Sequence, residues 1–159
     1  MFQWFQDLIG NKKSEIQSII FYGNVFSSTF ITDYLITKKV NKNIGCLLNS
    51  HWVSASSMLL AHNPDLAICI HNISYVKKSC LEIVYFDDES KKLADIFIKT
   101  YKKIFKDRQI DSLEITKNSM YYTSFQSVKN LKRKIMIKPS EIDTDEDLSL
   151  VFETYLGKI

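Results

Sequence analysis

The pattern of apolar and polar positions divides the chain into alternating helical and extended segments. Phe2, Phe5, Leu8 and Ile9 recur at helical spacing and predict a short amphipathic helix that stops at Gly10. Residues 15–22 read as a strand, and Gly23-Asn24 supplies a turn and a helix cap. Phe26, Phe30, Ile31, Tyr34 and Leu35 share one face of a helix over 25–38. Cys46 to Leu48 is a short strand, and Asn49 or Ser50 caps a helix that Asn63-Pro64 ends. Residues 65–73 and 80–86 are the clearest strands. In the first, Leu66, Ile68 and Ile70 point one way and Ala67, Cys69 and His71 the other. Both sets are largely apolar, as in a central strand covered on two sides.

The best-defined helix runs from Asp88 to Arg108, with Leu93, Phe97, Tyr101, Ile104 and Phe105 as its core stripe. Acids begin it and lysines end it, which complements the helix dipole. Residues 111–116 and 120–125 read as a hairpin around Lys117-Asn118-Ser119. Ile135 to Lys138 is a last strand before Pro139. Asp143 caps a final helix with Glu146 three residues on, and that helix ends near Gly157. The expected fold is α+β, with a mixed or antiparallel sheet, hairpins and several packed helices. It forms a single domain over 1–159, in which 1–10 is the short helix and 140–159 an acidic C-terminal helical segment.

Composition changes this picture mainly by exclusion. The chain has 159 residues, 45% hydrophobic and 25% charged, the balance of a globular domain. Glycine and proline number six, against roughly 19 at average usage. No two of Gly10, Gly23, Gly45 and Gly157 are close enough for a dinucleotide fingerprint, a phosphate-binding loop or a nucleophile elbow. The longest apolar runs are about five residues, where a membrane span needs about 20. The amino end lacks the basic start of a signal peptide, and three cysteines make no disulfide framework. A cytoplasmic location is expected, in which the glycosylation triplet Asn72-Ile73-Ser74 has no meaning.

All cysteines and histidines fall between 46 and 80, as Cys46, His51, His62, Cys69, His71 and Cys80. As a metal site this set is poorly spaced. Only Cys69 and His71 are close, while His51 and His62 sit three helical turns, roughly 16 Å, apart. As a nucleophilic pair, Cys69 and His71 lie on an apolar face that raises a thiol pKa, against what catalysis requires. A nuclease pattern from Asp65 through Glu82 or Glu114 fails because the following Lys is missing or displaced by one position. The cluster reads as structural, with no metal and no cofactor.

Charge is uneven. Residues 1–138 carry 20 basic and 12 acidic groups, and 139–159 carry one and six. Lys92, Lys99, Lys103 and Lys106 line one helix face, opposite its core stripe. Lys129, Lys132, Arg133, Lys134 and Lys138 form a second basic group, onto which the acidic tail could fold. Nineteen Lys and two Arg suit non-specific anion or nucleic-acid contact better than base readout. Phe2, Trp4 and Phe5 could dock into a partner's groove or pack on the chain's own sheet.

With every tested catalytic signature failing, the expectation is a small cytosolic non-catalytic protein. It would act by protein–protein interaction as an inhibitor, immunity-type protein, secretion-system component or adaptor. Its partner-binding candidates are Lys92, Lys99, Lys103 and Lys106, the residues Lys129, Lys132, Arg133 and Lys134, and Phe2, Trp4 and Phe5. The alternatives are an anion or nucleic-acid binder through the Lys-rich faces and a metal- or thiol-dependent enzyme built on residues 46–80.

Overall fold

A computed structural model describes residues 15–48, 52–71, 78–116 and 130–159. Among the described residues the elements are, in order, β1 (Ser18–Gly23), α1 (Val25–Thr37), β2 (Asn43–Cys46), α2 (Trp52–His62), β3 (Leu66–Ile70), β4 (Leu81–Tyr85), α3 (Asp88–Ile104), β5 (Ile110–Glu114), β6 (Lys134–Lys138) and α4 (Asp145–Leu156). The amino-terminal helix with Phe2, Trp4 and Phe5, the cap at Asn49 or Ser50, and the second strand of the 117–119 hairpin lie outside the described residues.

Local chemistry places most boundaries. The Asn24 side chain accepts from the Ser27 amide at 2.9 Å and starts α1. Asp87 and Ser90 cap α3 reciprocally, at 2.7 Å and 3.0 Å. Asn63 takes a left-handed φ of 44°, which closes α2 ahead of Pro64. The last helix departs from expectation by one residue. Thr144, with Asp147 at the third helical position, is its cap. Asp143 is drawn instead into tertiary contacts, accepting from Tyr101 Oη at 2.7 Å, from the Ser140 amide at 2.9 Å and from Ser140 Oγ at 2.6 Å. The acidic segment therefore meets α3, where Arg108 donates to Asp143 at 3.2 Å and Asp147 at 2.8 Å.

The strands form one mixed sheet in the order β2-β1-β3-β6-β4-β5. β2, β1, β3 and β6 run parallel, β4 and β5 run parallel to each other, and β6–β4 is the antiparallel junction. This is the expected α+β class, a mixed sheet packed by helices. Its antiparallel pair is not a hairpin, because β6 inserts between β3 and β4 from much later in the chain. Right-handed crossovers explain the layering. The β1–α1–β2 step moves toward one edge and the β2–α2–β3 step moves back, so α1 and α2 take opposite faces.

On one face, α1, α3 and α4 cover Ile19, Phe21, Ile68, Ile70, Ile83 and Ile137. Phe97 and Phe152 stand 5.3 Å apart there, and Phe21 meets Phe152 at 5.0 Å. On the other face, Leu59 of α2 packs with Tyr22, Ala67, Cys69, Val84 and Met136. All five residues of β3 are buried, as its two apolar faces predict. The face α1 buries is rotated from the predicted one. Ser27, Ser28, Ile31, Thr32 and Leu35 are buried, while Phe26 is 85% exposed and Phe30 40% exposed. No helix among the described residues is long and apolar enough to cross a membrane.

Candidate functional site

The chain turns toward opposite edges of the sheet after β1 and after β3. In open sheets the crevice outside the carboxyl ends of such strands is where ligands bind. Here it is bounded by Gly23-Asn24 and by His71. Gly23 has φ +101°, and a Cβ on it would stand 2.4 Å from the Ile70 carbonyl oxygen. That absence of a side chain lets the Asn24 amide donate to Ile70 O at 2.8 Å. The His71 amide donates to Ile137 O at 2.8 Å, which ties the same corner to β6.

Register then assembles a polar row. Ile70 pairs with Ile137, so His71 continues the ladder beside Lys138. Lys138 pairs with Glu82 across the antiparallel junction, and Glu82 pairs with Asp111. Residues in register project to the same face. The row His71, Lys138, Glu82, Asp111 thus crosses the sheet at the carboxyl ends of its parallel half. The Lys138 ammonium lies 3.7 Å from a Glu82 carboxylate oxygen, and Lys78 pairs with the other oxygen. The Lys138 side chain is only 6% exposed. Burial and then the positive charge of Lys138 lower the His71 pKa and favour the neutral imidazole.

The remaining members of the Cys/His cluster are dispersed. Cys69 and His71 share a face of β3, as alternation predicts. Burial drives the Cys69 thiol pKa strongly upward, leaving it without thiolate. Cys80 precedes β4 and donates to Asp111 at 3.4 Å, and its pKa is raised by burial and by that hydrogen bond. Cys46 ends the edge strand β2, 4.0 Å from Thr29 Oγ1. His62 is exposed at the end of α2, and His51 lies outside the described residues.

The basic candidates separate into two kinds. Lys92, Lys99, Lys103 and Lys106 are all exposed along α3. Lys129 lies outside the described residues, and Lys132 is exposed. Arg133 and Lys134, expected on a surface patch, are buried instead. Arg133 pairs with Glu15 at 2.8 Å and Glu89 at 2.7 Å. Lys134 points inward with its ammonium 4.2 Å from the Phe86 ring. Burial lowers its pKa to about 8. Both faces of β6 are covered, so Lys134 and Lys138 of this basic group are buried with the rest of the strand. Sequence reasoning missed the pairing of His71 with Lys138 and Glu82, which depends on strand order and leaves no local signal.

The sequence matches no protein-family model and no curated protein. The fold, in contrast, is similar to several solved enzymes. It resembles the N-acetylmuramoyl-L-alanine amidase AmiC2 of Nostoc punctiforme with a TM-score of 0.62 and 8% identity, over 91% of this chain and 97% of that one. It resembles the catalytic domain of the amidase CwlV from Bacillus (Paenibacillus) polymyxa with a TM-score of 0.57 and 10% identity, over 90% and 96%. A metallo-carboxypeptidase from Burkholderia cenocepacia aligns with a TM-score of 0.59 and 9% identity, over 92% of this chain and 57% of that one.

The last name implies a metal, and the described residues do not fit one. A catalytic zinc takes three protein ligands plus water. The described residues contain no group of three His, Cys, Asp or Glu side chains that could hold an ion. The crevice row offers His71 and Glu82 with a cation between them. Segments 72–77 and 117–129 contain no His, Cys, Asp or Glu, while 1–14 holds Asp7 and 49–51 holds His51. The comparisons correct the expectation of a non-catalytic inhibitor, immunity-type protein, secretion-system component or adaptor: the fold is similar to that of amidase and peptidase catalytic domains.

Proposed function

We propose that this chain is a hydrolase-type domain that takes an N-acyl amide substrate, such as an acylated amino acid or a muramoyl peptide, into the crevice at the carboxyl ends of β1, β3 and β6. The observation that carries the reading is the placement of His71 beside Lys138 in that crevice, on a fold shared with amidases over about nine-tenths of the chain. A neutral imidazole can take a proton from an attacking water and return it to the departing amine. The positive charge of Lys138 beside it favours the oxyanion that forms on the acyl carbonyl. Phe26 and Leu48, 85% and 72% exposed, follow β1 and β2 directly and give the same edge an apolar rim for an acyl or peptide chain. The free cysteines support a reducing, cytoplasmic setting for this activity.

The test is incubation of the purified protein with muramoyl peptides and a panel of N-acyl amino acids, with released amine followed by mass spectrometry. Release is expected, and His71→Ala should reduce it by at least 100-fold. Absence of release across the panel, or release indifferent to His71, would refute the reading.

A further inference from the structure

We infer that the Lys138 ammonium occupies the place a catalytic metal would need, so that this crevice works without one. The inference rests on the crevice being the functional site, and it is independent of which amide is cleaved. His71 and Glu82 are the metal-binding side chains of the row nearest the crevice, and they stand on either side of β6 in register. Adjacent strands are about 4.8 Å apart, so these two side chains start about 10 Å apart. Zinc bonds to His nitrogen and carboxylate oxygen are about 2.0–2.2 Å. An ion reached by both must therefore lie above β6, where the Lys138 side chain projects.

Lys138 is not placed to yield. Its side chain is 6% exposed and its ammonium lies 3.7 Å from Glu82. Glu82 is further engaged by Lys78, which pairs with its second oxygen. Glu82 contributes one negative charge and the two lysines beside it two positive charges. A dication is drawn to the opposite balance. The lysine thus supplies a fixed positive charge at the position from which a metal would polarise a carbonyl.

Zinc titration of the full chain against a competing chromophoric chelator tests this. Wild type, Lys138→Glu, and each of these combined with His71→Ala are compared, with circular dichroism reporting the fold. Wild type is expected to show no zinc site that depends on His71. Lys138→Glu should gain one stoichiometric zinc, and His71→Ala should abolish it. A wild-type zinc lost on His71→Ala overturns the inference, as does a folded Lys138→Glu protein that binds zinc no better than wild type. If Lys138→Glu does not fold, Lys138→Gln serves instead. It should bind zinc at least tenfold more tightly than wild type, and no gain there also overturns the inference. Zinc in the wild-type crevice would leave the hydrolase reading standing. Failure of hydrolysis alone would leave the zinc result standing.

Discussion

Replacing Gly23 by Ala tests whether the crevice depends on close backbone approach. The φ of +101° costs an L-residue about 1–2 kcal/mol. The new Cβ would stand 2.4 Å from Ile70 O, where ordinary contact begins at 3.4 Å, so the backbones of β1 and β3 must part by the difference of 1.0 Å. Parting them weakens the 2.8 Å bond from the Asn24 amide to Ile70 O, a loss of about 0.5–1.5 kcal/mol. Opening a packed core adds about 1–3 kcal/mol. The sum is about 3–6 kcal/mol, against a total stability on the order of 5–15 kcal/mol for a domain. Urea unfolding read at an unchanged m-value measures the change. Gly45→Ala is the control, because nothing lies within 4 Å of its added Cβ, and it should stay within about 1 kcal/mol of wild type. A loss below about 1 kcal/mol at Gly23, or equal losses at both glycines, would refute the close-approach argument.

Three further outcomes are expected. Asp143→Ala leaves Tyr101 Oη and Ser140 without their buried acceptor and removes one partner of Arg108, and it should cost about 3–5 kcal/mol in urea unfolding; a cost under about 1 kcal/mol would show that the network carries no stability. Because the folded-state pKa of His71 lies below its unfolded value of 6.5, the unfolded chain binds more protons just below pH 6.5. Stability should fall from pH 7 to pH 5, and His71→Gln should flatten that part of the curve; an unchanged slope in the variant contradicts the assignment. Lys134 has a folded-state pKa of about 8 against 10.5 unfolded, so stability should rise between those values as the folded ammonium deprotonates first. The rise is about 3 kcal/mol at most, and wild type minus Lys134→Met, measured at pH 8 and pH 10, isolates it.

Much of the element structure was legible because it is written in local signals. The stripe on α3 is one: Leu93, Phe97 and Tyr101 are buried while Lys92, Lys99 and Lys103 are exposed. The cap of α4 was misread by one residue for a physical reason. Asp143 with Glu146 and Thr144 with Asp147 both satisfy a capping pattern, and the choice is made by Tyr101 and Ser140, distant or unrelated in the local code. The same limit hid the site. Alternation correctly put Cys69 and His71 on one face of β3, yet Lys138 and Glu82 reach His71 through the pairing of β6 with β3 and β4. Nothing within a few residues of any of them encodes that order. The basic run 132–134 misled for a related cause, because one residue in a covered strand points into the core whatever its charge.

The position of β6 bears on how the chain is made. β2, β1 and β3 are complete by residue 70, and β4 and β5 by residue 114. Their inner edges pair with β6, which is synthesised after both. A growing chain emerges at about 5–20 residues per second, so for several seconds it holds two half-sheets with unsatisfied backbone along β3 and β4. Such edges invite pairing with other chains. A protein cut short before Lys134 would keep them open for good, and its failure would be aggregation before any question of activity arose.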